Sequence, residues 1–172
     1  MTTAPALRAS RACVDGPDPG EATALDAERL AKANISPVTG LATDYLNHFN
    51  EAIMLLDLAA TVPECLADLM AWRPVGYEDH FASSSFKDRE LAVRAYRAAD
   101  QRTRGDLERL ATTMTAILLA ARSALIMAGC AVEAKSEAAR AVAQLRPLVA
   151  RAGAVINGEA TAQDEVDALF GR

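Results

Sequence analysis

Between positions 107 and 125 apolar residues return every three or four places, and Leu107, Leu110, Met114, Ile117, Leu118, Ala121 and Leu125 keep step with an α-helix. Carried from Arg104 down to Gly129, that helix is about 37 Å long at 1.5 Å per residue. A stripe of this length has to be buried, and no segment alternates apolar and polar residues in the way a half-buried strand does. Other helices must receive it. Leu41, Tyr45, Phe49, Ile53, Leu56 and Ala60 form a second stripe, and Ala139, Val142, Leu145 and Val149 a third, on an Ala-rich segment over 132–152 where Pro147 predicts a kink or a break. The chain is 51% hydrophobic but only 5% aromatic, so its apolar mass is mostly Ala, Leu, Val, Ile and Met, which favours helices over a sandwich or barrel. The predicted fold is all-α, an antiparallel helical bundle with Leu41, Phe49, Ile53, Leu56, Leu107, Leu110, Met114, Ile117, Leu118 and Leu125 in one core.

Local punctuation divides the chain. Residues 1–20 are rich in Pro, Gly and Ala, have no apolar run of signal-peptide length, and are expected to be a disordered, flexible N-terminus. The bundle is expected over 21–152, a linker over 153–161 and a tail over 162–172. Residues 21–33 predict a short helix, and Ser36-Pro37 predicts the start of the next. Thr61 with Glu64, Ser85 with Asp88, and Thr103 with Asp106 have capping-box spacing and predict helices that start near 61, 86 and 104. Arg73-Pro74 stops the first of these. Residues 72–86 hold Trp72, Tyr77, Phe81 and Phe86 and predict an ordered loop, either plugging the bundle or presenting a binding surface.

Net charge is −5, which excludes a main role in gripping nucleic acid or anionic lipid. Residues 102–152 nevertheless carry eight Lys or Arg against four acids, whereas the last twenty carry Glu159, Asp164, Glu165 and Asp167 against Arg172. A basic body and an acidic tail suit self-association, or partners of opposite sign, or solvated charge. Three unpaired-looking cysteines, Cys13, Cys65 and Cys130, fit a reducing cytoplasm. The most apolar stretch, 116–132, falls short of a membrane span once Arg122 and Ser123 interrupt it, so no membrane insertion is expected. There is no phosphate-cradling Gly-rich loop, no G-x-S-x-G, no H-E-x-x-H and no Glu-x-x-His, so no metal or other cofactor is expected.

The tail holds the informative segment: Gln163, Asp164, Glu165, Val166, Asp167, Ala168, Leu169 and Phe170. In a helix, Val166, Leu169 and Phe170 share one apolar face flanked by the acids, the pattern of a docking helix. The segment resembles the Q-x-E-[IV]-D-A-L-[LF] peptide of the flagellar switch protein FliM, matching it at seven positions. The resemblance implies binding of a CheY-like receiver, any Mg²⁺ belonging to that partner, in bacterial chemotaxis or two-component signalling. A C-terminal motif behind a helical body also resembles the layout of the CheY phosphatase CheZ, which implies response-regulator dephosphorylation and a dimeric bundle. The Asp and Gln four residues apart of CheZ are missing, as is the Glu-x-x-Asn of the CheC and CheX phosphatases. The nearest analogue of the first, Glu159 and Gln163, lies in the tail, and the one Asp-x-x-Asn in the chain is Asp44 and Asn47, three apart on one predicted helix face. Two readings of it stand: Asn47 orients a water on an acyl phosphate with Asp44 in support, or Asp44 is a helix N-terminal acid and Asn47 a solvated polar residue. His48 invites comparison with phosphotransfer histidines, although no Lys or Arg follows within one turn. The enzymatic role is thus set beside two others, a non-enzymatic adaptor or sink and a structural helical protein whose tail closes the bundle. Ala124, Leu125, Ile126 and Met127 in succession leave apolar surface on every side of the long helix, and the chain is expected to form a homodimer. Sedimentation at high micromolar concentration should show it, and a strict monomer would overturn it.

Overall fold

The computed structural model describes residues 26–59 and 61–159, and among these it contains seven helices and no strand. They are α1 (Ala27–Lys32), α2 (Tyr45–Ala59), α3 (Pro63–Ala71), α4 (Tyr77–Ser83), α5 (Arg89–Ala98), α6 (Gln101–Met127) and α7 (Ala131–Asn157). The all-α bundle read from the stripes is the observed fold. The predicted N-terminal segment 1–20 and the tail 162–172 lie outside the described residues.

α6 and α7 are joined by only three residues and pack as an antiparallel hairpin, with Leu107, Met114, Leu118 and Leu125 buried from one side and Ala138, Val142, Leu145 and Ile156 from the other. α2 runs against α7 in the opposite sense, since Leu46 meets Gly153 and the Thr39 hydroxyl donates to the Ile156 carbonyl. Eight of the ten predicted core residues are buried; Leu110 and Ile117 pack half-buried against them. α6 is long and apolar enough by length and composition to cross a membrane, unlike the shorter interrupted stretch marked in the sequence; here its inner stripe is spent on the bundle.

Several boundaries differ from expectation. Ser36-Pro37 opens a turn instead of a helix: the Gly40 N–H donates to the Ser36 carbonyl at 2.8 Å, and Ile35 pairs with Ala42 across it. Of the proposed capping boxes, none forms. Thr61 turns back on the Leu58 carbonyl, and α3 begins at Pro63 after Val62. Ser84, which ends α4, accepts from the Phe86 N–H, and α5 begins only at Arg89, after an Asp88 whose side chain caps nothing. α6 starts three residues early because Asp100 accepts from the Thr103 N–H at 3.0 Å, the same cap in a different register. The expected loop over 72–86 contains α4, in which Tyr77 and Phe81 reach the core one turn apart, so its aromatics plug the bundle. Pro147 does not break α7: Ala143, whose carbonyl loses its partner, and Pro147 itself are both exposed, so water can serve that oxygen. The expected linker at 153 is helical as far as Asn157, and the helix stops at Gly158, in the left-handed region at φ 78°, with the Glu159 N–H on the Ala154 carbonyl.

Gly40 is the tightest point in the turn before α2. Its φ is 73°, and a Cβ there would lie 2.9 Å from the Ala95 carbonyl oxygen of α5. Gly40→Ala should cost about 2–3 kcal/mol, as strain and collision act together, measured by urea denaturation. Leu118→Asp should leave the bundle unfolded, because an unpaired buried carboxylate costs several kcal/mol, a large part of a domain's stability.

Candidate functional site

Asp44 closes the turn that Gly40 shapes and is the last residue before α2; Asn47 lies in the helix's first turn. The Asn47 N–H donates to the Asp44 carbonyl at 3.1 Å, so the predicted pair is joined through the backbone. The two side chains meet different surroundings. Asn47 is exposed, whereas Asp44 is half-buried beside His80 of α4.

Here the fold assembles a cluster that spacing along the chain did not reveal. The chain's two histidines, His48 and His80, come within 6.0 Å of each other, centroid to centroid. Trp72, directly after α3, stacks on His48 at 4.7 Å, and its indole Nε1 donates to the His48 carbonyl at 3.2 Å. The Arg122 guanidinium of α6 donates to the Trp72 carbonyl at 3.3 Å, drawing a third helix into the same corner. Tyr45 packs against the His80 ring at 5.6 Å and donates its hydroxyl to the Val75 carbonyl. The sequence signal was the concentration of aromatics over 72–86 with His80 among them; the pairing with His48, 32 positions away, had no local mark.

Burial pushes the His48 imidazole below its ordinary value, the proximity of His80 pushes it further, and the Arg73 main chain offsets part of this. His80 is also lowered by burial, against which the main chain and carboxylate of Asp44 pull upward. Both rings are therefore neutral at pH 7. His48 Nε2 is enclosed without a hydrogen-bond partner, which leaves that nitrogen no path to a phosphodonor and argues against the phosphotransfer reading. Asn47 is exposed at this corner, and its amide carries both donors and an acceptor for a water.

Tyr45 and Tyr77 also line a neighbouring cleft of about 440 Å³ with Tyr96, Glu108 and Thr112. Tyr96 donates to the Glu108 carboxylate, and burial followed by the Glu108 charge pushes Tyr45 up to about 12, so these hydroxyls stay protonated at neutral pH. The cleft offers polar contacts and no activated nucleophile. Among the described residues, no group of three or more His, Cys, Asp or Glu is placed to hold a metal ion.

The partner-binding residues Gln163, Asp164, Glu165, Val166, Asp167, Ala168, Leu169 and Phe170 lie outside the described residues. What precedes them is well placed. The capped end of α7 lies beside the turn that feeds α2, with Ile156 on Thr39 and Gly153 next to Leu46. No protein-family model, curated protein or solved structure matches the chain.

The histidine pair gives this corner a pH dependence whose sign is set by burial. Unfolded, each imidazole takes its proton near 6.5; folded, each takes it at lower pH, so the unfolded chain binds more protons between those values. Their contribution to stability is complete above pH 6.5 and is lost as pH falls through the folded values. Thermal melts from pH 7.5 to 5 should show the decline, and His80→Gln should flatten it.

Proposed function

We propose that this chain docks a CheY-like receiver through residues 163–170 and that the bundle is the scaffold that carries this tail. The observation that carries the reading is the seven-residue match in register, with Val166, Leu169 and Phe170 on one helical face and three acids at its flank. It is supported by the Gly158 stop, which ends α7 five residues before the motif begins. A cytoplasmic homodimer is part of the proposal, and Ile126, Met127 and Val132, exposed about the α6–α7 turn, are its candidate contacts.

A specific observation favours dephosphorylation over simple sequestration. The root of the tail and the first turn of α2 are neighbours, so a receiver held by the tail is kept close to Asn47 at an effective concentration near the millimolar range. In this reading Asn47 enters the receiver site and orients the attacking water. Asp44, half-buried beside His80, is a positioning residue that holds the start of α2.

Leu169→Ala with Phe170→Ala should weaken receiver binding by about tenfold or more, in isothermal titration, and change bundle melting little. Asn47→Ala should keep tail-dependent binding and lose phosphate release, because the amide acts on a water and not on affinity. Unchanged hydrolysis with Asn47→Ala removes that assignment, and no acceleration by the wild type leaves the adaptor. Failure of any receiver to bind overturns the proposal.

A further inference from the structure

α2 and α7 do not close completely against each other. Between them runs a groove of about 310 Å³, lined by Asn50, Ile53, Met54, Asp57, Arg146 and Val149. Met54 on its α2 side is 55% exposed, and Leu58, one turn further along α2 and beyond the groove lining, is 41% exposed. Arg146 stands exposed on the α7 side.

We propose that residues 163–170 of the same chain dock in this groove, so that the chain masks its own partner-binding motif. Length permits it. From Gly158 back to Val149 is nine residues of helix, about 14 Å, and the five residue steps from Gly158 to Gln163, where the docked helix begins, reach up to about 17 Å when extended. The stretch from Asn50 to Asp57 is about 11 Å long at helical rise, and eight helical residues cover about 12 Å. The apolar face Val166, Leu169 and Phe170 meets Ile53, Met54 and Val149, and the acids Asp164, Glu165 and Asp167 lie toward Arg146 on the α7 side and away from Asp57 on the α2 side. The tether supplies the remaining drive, since a segment rooted at Gly158 needs little intrinsic affinity to close on a groove so near. A docked tail is unavailable to a receiver, and the receiver's apparent affinity falls by the fraction of tail left free. The masking role rests on the receiver reading; the docking itself rests only on the tail's pattern and the groove.

The full chain carries five methionines, so methyl-labelled methionine gives a spectrum simple enough to follow Met54. Phe170→Ala should shift the Met54 methyl signal as the ring current is removed and leave Met114 in place. Arg146→Glu should shift Met54 the same way and tighten receiver binding about threefold or more. A Met54 signal indifferent to Phe170→Ala overturns the proposal, as does a shift that appears only on raising protein concentration, which would place a second copy's tail in the groove. If the Phe170→Ala shift is present and an added receiver leaves Met54 unmoved, the docking stands and the receiver reading falls.

Discussion

The burial of α2 is the constraint from which the remaining structure follows. At 100° per residue its buried side chains Tyr45, Leu46, Phe49, Ala52, Ile53 and Leu56 fall within an arc of about 120°. An arc that broad is more than one neighbour covers, and α3, α4, α6 and α7 each take a part of it. The short pieces exist because of that demand. α4 is only seven residues long and would not hold as an isolated helix, yet Tyr77 and Phe81 anchor it, and the Ala42 N–H bonds the Tyr77 hydroxyl at 2.7 Å. α5 is held to it by the stacked rings of Tyr77 and Tyr96 and by the Arg97–Glu78 pair.

This explains which parts of the fold were legible. A long apolar period survives any choice of neighbour, so the stripes at 107–125 and 41–56 could be read directly. Caps could not be placed as securely, because a Ser, Thr or Asp has several backbone partners within reach and tertiary packing selects among them. Asp100 caps α6 in place of Thr103 for that reason, and α5 starts without a side-chain cap. α4 was missed because its two core contacts are too few to establish a period, and the continuation of α7 past Gly153 because that glycine meets Leu46 inside the bundle rather than marking a turn.

The candidate site divides in the same way. The spacing of Asp44 and Asn47 was visible, and their shared helix face was a sound inference from it, but the approach of His80 to Asp44 crosses 36 positions and has no signature along the chain. That approach changes the chemistry. The Asp44 main chain beside the half-buried His80 ring ties the start of α2 to α4, and Asn47, in the first turn of α2, is exposed to another molecule. The Trp72 stack on His48 fixes the same turn from the opposite ring, so Asn47 projects from backbone held on several sides. Rigid support of this kind is what a water-orienting amide needs, since misplacement by an ångström costs it most of its effect.

Position along α2 finally links the two ends of the argument. Asn47 and Met54 are seven residues apart, on nearly the same azimuth of the helix, about 11 Å from each other. The end of α7 lies beside the turn that leads into the first of them and, in the closed state proposed here, the tail lies over the second. A single strip of α2 would then serve both proposed states: the motif would cover its far half when docked on its own chain, and free it on swinging out to a receiver. In that proposal the tail is rooted near the first turn of α2 in either state, so release at Met54 would not carry a bound receiver away from Asn47. The free energy separating the states has to be small, for a groove that bound the tail by more than a few kcal/mol would leave almost none free to be recognised. An open groove of mixed character, with Asn50 and Asp57 among its apolar residues, is suited to that weak closure in a way that a deep hydrophobic slot would not be.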